Sequence, residues 1–165
     1  MAGLGHLGLG FAAKPLVPKV HLVVLLIATE LIDILWGIFY FTGIDRGNID
    51  ANSSPWSHSL SMSVIWSVLA AILVGCIYHD NRSGIVTGLL VFSHWVIDFI
   101  THPMGAIFGG TPLSPDLPLF FNSSHKMGLG LYNHSFAIAI ATDIGMLLLG
   151  VTIYFFNRNK LINQK

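Results

Sequence analysis

The sequence predicts an all-α, polytopic membrane protein with four transmembrane helices and a short N-terminal helix that is re-entrant or interfacial. Of its 165 residues, 53% are hydrophobic and only 10% are charged, against about 25% charged residues in an ordinary soluble domain. The apolar residues also fall into four runs of about 20 residues, the length that an α-helix needs to cross a bilayer. We therefore expect one helical membrane domain over residues 1–165.

Segments rich in turn-forming residues separate the four apolar runs. The first loop reads "TGIDRGNIDANSSPWS", and the second, "HDNRSG", is a tight link. The prolines and glycines between residues 105 and 133 argue against a further spanning helix there. The expected spans therefore cover about residues 20–41, 59–78, 84–104 and 135–156.

The N-terminal stretch "LGHLGLGFAA" is apolar but only about half as long as a span. Pro15 and Pro18, which Lys14 and Lys19 flank, predict a turn at the membrane interface. A re-entrant half-helix would carry His6 into the bundle, because such segments are tolerated only where they are buried against protein or line a cavity. The alternative is a helix that lies flat at the interface.

The charged residues predict an orientation and exclude one class of partner. Eight Lys and Arg residues balance eight Asp and Glu residues, so nucleic acid is not an expected partner. Basic residues concentrate on the cytoplasmic side of membrane proteins, which places there Lys14, Lys19, Arg82, Arg158, Lys160 and Lys165. Both anchored ends are then cytoplasmic, the expected location is the bacterial inner membrane, and membrane lipids are the expected surroundings. Oligomeric state and protein partners stay open.

Ionisable side chains inside the apolar runs need an explanation, because they are costly in a membrane and normally face the bundle interior. Residues three or four apart share a helix face. In the third run, His94, Asp98 and His102 therefore form one stripe. A helix rises about 1.5 Å per residue, which gives each polar residue an approximate depth from the cytoplasmic face. Depths of about 12 to 24 Å follow for His6, Glu30, Asp33, His94 and Asp98.

Histidines and carboxylates on facing helices are the ligands of zinc, manganese and iron sites in helical bundles. We therefore predict a divalent metal, zinc before manganese or iron, in a centre for one ion or two. The predicted ligands are His6, Asp33, His58, His94 and Asp98. Glu30 is the predicted general base, because it lies one turn from Asp33. Supporting or uncertain positions are Ser59, Ser93, Thr101, His102, His134 and Asp143. For His102 a helix cap or a solvent-facing imidazole competes with a ligand role, and for Asp143 pairing with another helix competes with catalysis.

Four stretches together resemble a known family: "GHLGLGFAAK", "ELIDILW", "SPWSHSL" and "SHWVIDFITHP". In order and spacing they are similar to the YdjM-like family of small membrane-bound proteins identified as metal-dependent hydrolases. The resemblance covers roughly residues 3–118, and the likeness of that family to zinc-dependent phospholipases C implies phosphoester hydrolysis. The positions that it implies as functional are His6, Asp33, His58, Ser59, Ser93, His94, Asp98 and Thr101.

Two functions follow from these patterns. The first is a metal-dependent hydrolase that acts on a lipid-like phosphoester or ester through a metal-activated water. The alternative is a non-enzymatic membrane module, in which the same groups relay protons or ions, bind a structural metal, or fix the packing of the helices.

Overall fold

The computed structural model describes residues 3–45, 53–105, 113–121 and 125–162. Its elements are α1 (Gly3–Ala13), a 3-10 turn (Lys14–Leu16), α2 (Leu22–Thr42), α3 (Leu60–Tyr78), α4 (Asn81–Thr101), β1 (Leu117–Pro118), β2 (Lys126–Met127) and α5 (Phe136–Ile162). Four helices are long and apolar enough to cross a membrane: α2, α3, α4 and the part of α5 from Phe136 to Asn157. The predicted four-span, all-α fold is confirmed, and it indicates an integral membrane protein. The two strands, which the sequence analysis did not predict, form a short antiparallel pair in the loop after α4.

Side chains and turns mark where the helices begin and end. Ser59 caps α3 by accepting from the backbone N–H of Met62 at 3.3 Å, and Asp80 caps α4 by accepting from that of Ser83 at 3.0 Å. Such caps satisfy amides that the first turn of a helix leaves unpaired. Hydrogen bonds from the side chain and the backbone of Ser83 also hold the pKa of Asp80 below its usual range. Gly43 ends α2 in the left-handed conformation, with φ 89°.

Helices α3 and α4 form a tight antiparallel hairpin through small residues. A Cβ added to Gly88 would lie 2.8 Å from the carbonyl oxygen of Ser67. One added to Gly84 would overlap the carbonyl oxygen of Ala71. Small residues allow this close backbone approach between helices in a membrane, so these glycines fix the position of α4, which carries His94 and Asp98.

Helix α1 lies inside the bundle, packed against α5 and α2. A Cβ added to Gly150 of α5 would overlap the carbonyl oxygen of Gly8, and one added to Gly8 would overlap that of Met146. The carboxylate of Asp143 accepts a hydrogen bond from the backbone N–H of Gly5 at 2.8 Å. Asp143 thereby satisfies a first-turn amide of α1. This packing places α1 against the spanning helices and buries His6, as the re-entrant alternative requires.

We expect Gly150→Ala to destabilise the protein by about 1 to 3 kcal/mol, the usual cost of overpacking a tight interface, because its Cβ has no room beside Gly8. Gly145→Ala is the matched control on the same helix, since a Cβ there would have no atom within 4 Å. Thermal unfolding of both variants in detergent gives the comparison. Equal melting temperatures for the two variants would contradict the packing of α1 on α5.

The segment after α4 folds back onto the C-terminal end of that helix. The backbone N–H of Gly130 donates to the carbonyl oxygen of His102 at 2.7 Å, and that of Tyr132 donates to the carbonyl oxygen of Thr101 at 3.1 Å. These bonds satisfy carbonyl groups that a helix end leaves free. Gly130 has φ 69°, a left-handed conformation that suits glycine. The backbone of His102 is therefore held from both sides.

Candidate metal centre

Four separate elements bring histidine and aspartate side chains to one point in the bundle. His6 comes from α1, Asp33 from α2, His58 from the residue before the cap of α3, and His94 and Asp98 from α4. All but Asp33 are buried, with His58 at 0% exposure. The structure thus brings the five predicted ligands together, although their ligand role stays a prediction.

The Nε2 atoms of two histidines face two carboxylates. Nε2 of His58 lies 3.1 Å from Oδ1 of Asp33 and 3.7 Å from Oδ2 of Asp98. Nε2 of His94 lies 3.7 Å from Oδ1 of Asp33 and 3.3 Å from Oδ2 of Asp98. On the other side of Asp98, Nε2 of His6 lies 3.4 Å from Oδ1. Asp98 therefore faces the imidazoles of His6, His58 and His94.

These separations between 3.1 and 3.7 Å are compatible both with ion pairs and with ligands around one ion. Charge-assisted N–H···O bonds measure about 2.7 to 2.9 Å. Four ligands at about 2.0 to 2.2 Å from a tetrahedral ion lie about 3.3 to 3.6 Å from one another. Nε2 of His58 is buried and makes no hydrogen bond of good geometry among the described residues, although Oδ1 of Asp33 lies 3.1 Å away. This arrangement also suits a nitrogen that binds a cation.

Hydrogen bonds at Nδ1 hold the rings of His58 and His94 so that Nε2 faces the carboxylates. Nδ1 of His94 lies 2.7 Å from the carbonyl oxygen of Thr29. Because a carbonyl only accepts, Nδ1 carries the hydrogen and Nε2 of the neutral ring is a lone pair. That lone pair faces carboxylate oxygens, so a proton or a cation must lie between them. Nδ1 of His58 lies 2.8 Å from the hydroxyl of Ser57, which can donate or accept and so does not fix the tautomer of His58. Such outer partners are typical of metal-binding histidines.

The packing of the rings limits how many of them can be protonated. The rings of His6 and His94 stack with their centroids 4.1 Å apart and an angle of 15° between their planes. Two stacked imidazolium ions at this distance would repel strongly in a buried site. Simultaneous protonation of His6 and His94 is therefore disfavoured, and a metal ion is one way to balance the carboxylates of Asp33 and Asp98.

The centre is open on the side of α2. The side chain of Asp33 is 46% exposed, in contrast to its buried partners. Glu30 lies one turn away on the same helix, and its buried Oε1 has no hydrogen-bond partner among the described residues. Gly37 lies one turn beyond Asp33, and a Cβ there would have no atom within 4 Å. A substrate or a water molecule can therefore approach along α2.

The supporting positions have different surroundings. Ser59 caps α3, and Ser93 donates to a backbone carbonyl three residues earlier at 2.6 Å. Asp143 holds α1, which is the helix-pairing role. The hydroxyl of Thr101 is buried without a partner in the described part of the chain. His134 is exposed, and none of the described contacts joins it to the centre.

His102 lies at the centre, and its partner is a residue that the sequence analysis missed. Nε2 of His102 lies 4.0 Å from Oδ1 of Asp98. Nδ1 lies 3.2 Å from Oδ2 of Asp116. The only sequence signal for Asp116 was a lone carboxylate between prolines in "SPDLP". His102 also ends α4 as its C-terminal cap residue, and its ligand role stays a prediction.

The chain matches no family model, no curated protein and no solved structure. Its chemistry must therefore be argued from its own geometry. The donor atoms form two overlapping sets, and within each set they lie within 4.8 Å of one another. The first set is His6, His94 and Asp98, and the second is Asp33, His58 and His94. These buried groups can hold a metal ion, and they also form ion pairs among themselves.

Proposed function

We propose that this protein is an integral membrane metal-dependent hydrolase of the bacterial inner membrane, which uses zinc to cleave a lipid-like phosphoester or ester. One observation carries the proposal: Nε2 atoms of His58 and His94 face Asp33 and Asp98 at 3.1 to 3.7 Å, while their Nδ1 atoms are engaged elsewhere. The resemblance of the four sequence motifs to the YdjM-like family supports the same function.

The chain's own groups divide the chemical work. A bound divalent metal would lower the pKa of a water molecule and would polarise a phosphoryl or carbonyl oxygen. Asp33, His58 and His94 would hold it, because their donor atoms lie within 4.8 Å of one another. Asp98, whose Oδ2 lies 3.3 Å from Nε2 of His94, would complete the set. Glu30 would accept the proton from the attacking water, because one of its oxygens is buried and without a partner in the described structure.

A lipid-like substrate fits the position of the centre. The opening beside Asp33 lies on a helix that is long and apolar enough to cross a membrane, and neighbouring Ile34 and Ile38 are exposed. A molecule that reaches Asp33 along this face passes apolar side chains before it meets the polar centre. An amphiphile with an apolar chain and an ester head group has that order of chemistry.

The test is metal content together with hydrolysis. The protein, purified in detergent without added metal, is expected to contain zinc, manganese or iron in stoichiometric amount. It is also expected to hydrolyse at least one member of a panel of lipid phosphoesters and esters. Chelation should abolish the hydrolysis, and readdition of the metal should restore it.

Two results would overturn the proposal. A metal-free protein with unchanged stability, which takes up no zinc, manganese or iron on reloading, would remove the metal centre. Stoichiometric metal without hydrolysis of any lipid phosphoester or ester would favour the non-enzymatic alternative, in which the metal stabilises the helix packing.

A further inference from the structure

We infer that the centre holds two divalent metal ions bridged by Asp98, with the second ion bound by His6 and by a His102 that Asp116 orients. This inference deepens the proposed function and rests on it, since it assigns a second position beside the first. It also gives the loop that carries Asp116 a part in building the centre.

The two oxygens of Asp98 face different pairs of histidines. Oδ2 faces His94 at 3.3 Å and His58 at 3.7 Å. Oδ1 faces His6 at 3.4 Å and His102 at 4.0 Å. A carboxylate that presents each oxygen to its own pair of imidazoles has the arrangement of a bridge between two ions, which lie about 3.5 to 4 Å apart in two-metal sites.

The contact between His102 and Asp116 has the form of an oriented metal ligand. Oδ2 of Asp116 is 3.2 Å from Nδ1 of His102, so the carboxylate accepts the Nδ1 hydrogen and leaves Nε2 as a lone pair directed at the centre. A carboxylate in this place fixes the tautomer and raises the basicity of a ligating imidazole. At 4.0 Å, Nε2 is too far from Asp98 for a hydrogen bond, although both groups are buried.

The backbone around His102 is built to hold it in this position. Gly130 donates to its carbonyl oxygen at 2.7 Å, and a Cβ on Gly128 would overlap the same oxygen. Asp116 directly precedes β1, where Leu117 pairs with Met127. The strand pair and the folded-back segment therefore fix both members of the His102–Asp116 pair before any ion binds.

Carboxylates lie at both proposed metal positions. The carboxylates in or beside the centre are Asp33, Asp98, Glu30 and Asp116. Asp143 is engaged separately by the first-turn amide of α1. The charges of Asp98 and Asp116 favour a cation beside His6 and His102, because buried negative charge without a partner is costly. Oε1 of Glu30 and Oδ1 of Asp116 are both buried without hydrogen-bond partners among the described residues.

The test uses Mn²⁺ as the probe on the full chain. Metal-free protein is reloaded with Mn²⁺, and the bound metal is measured by mass spectrometry and by electron paramagnetic resonance. The wild type is expected to bind two Mn²⁺ ions per chain and to give the multiline spectrum of an exchange-coupled pair. This spectrum is recorded on the wild type, so it does not depend on whether a variant folds.

Two variants assign the second position. His102→Ala is expected to bind one Mn²⁺ ion and to show the spectrum of an isolated ion. Asp116→Ala is expected to weaken binding of the second ion by about 10- to 100-fold, the usual effect of losing the outer partner of a ligand. The control is His21→Ala, since His21 is exposed and its side chain makes no capping hydrogen bond; it should keep both ions.

The outcomes separate this inference from the proposed function. One Mn²⁺ ion per wild-type chain with an uncoupled spectrum, together with metal-dependent hydrolysis, would overturn the two-ion centre and leave the hydrolase proposal intact. Two ions retained in His102→Ala would overturn the assignment of His102. A wild type that binds no zinc, manganese or iron would overturn the proposed function, and the two-ion centre with it.

Discussion

Replacing Asp98 by Asn is expected to remove metal from the centre and to abolish hydrolysis. Asp98 is the group that contacts four imidazoles, through Oδ1 for His6 and His102 and through Oδ2 for His58 and His94. An amide keeps the size of the side chain but offers one weak oxygen ligand and no charge. Since the loss of an outer partner alone costs about 10- to 100-fold in affinity or activity, the loss of this shared ligand should cost more.

Metal content by mass spectrometry and hydrolysis of the lipid panel would both be measured on Asp98→Asn. Asp80→Asn is the matched control on the same helix, because Asp80 caps α4 outside the centre and asparagine is an equally good cap. It should retain the metal and the activity. Full metal content in Asp98→Asn would refute the role of Asp98 as the shared ligand.

The sequence predicted which polar residues meet because a membrane makes polar residues rare in helices. His94 and Asp98 could be paired by their spacing on one helix, and His6 and Asp33 by their depth from the basic residues. These positions could be predicted to meet because few other ionisable groups lie in the spans. The length and apolar composition of the runs predicted the four spans and the short N-terminal helix.

The sequence could not predict the groups that orient the ligands, because their contacts depend on the paths of loops and backbones. Thr29 contributes a carbonyl oxygen to His94 across 65 residues, and any residue type could have supplied it. Asp116 reaches His102 from a loop 14 residues away. The fit of Gly8 against Gly150, which sets how deep α1 enters, likewise depends on tertiary packing and has no local sequence pattern.

Glu30→Gln is expected to keep the metal but to lower turnover by about 10²- to 10⁴-fold, the range for the loss of a general base. Glu30 is absent from both sets of converging donor atoms, so its replacement should leave metal binding unchanged. Its buried Oε1 without a described partner lies one turn from Asp33, on the open side of the centre. Glutamine has nearly the same shape, but its amide cannot accept a proton from water.

Metal content and turnover at saturating substrate, measured on the same preparation of Glu30→Gln, separate a base from a ligand. Glu30→Asp is the companion variant, because it keeps a carboxylate that is one methylene shorter, and it should retain part of the activity that Glu30→Gln loses. Loss of metal in Glu30→Gln would instead make Glu30 a ligand. Unchanged turnover with the metal retained would show that the proton of the attacking water goes to another group, and Asp33 is then the nearest exposed carboxylate on α2.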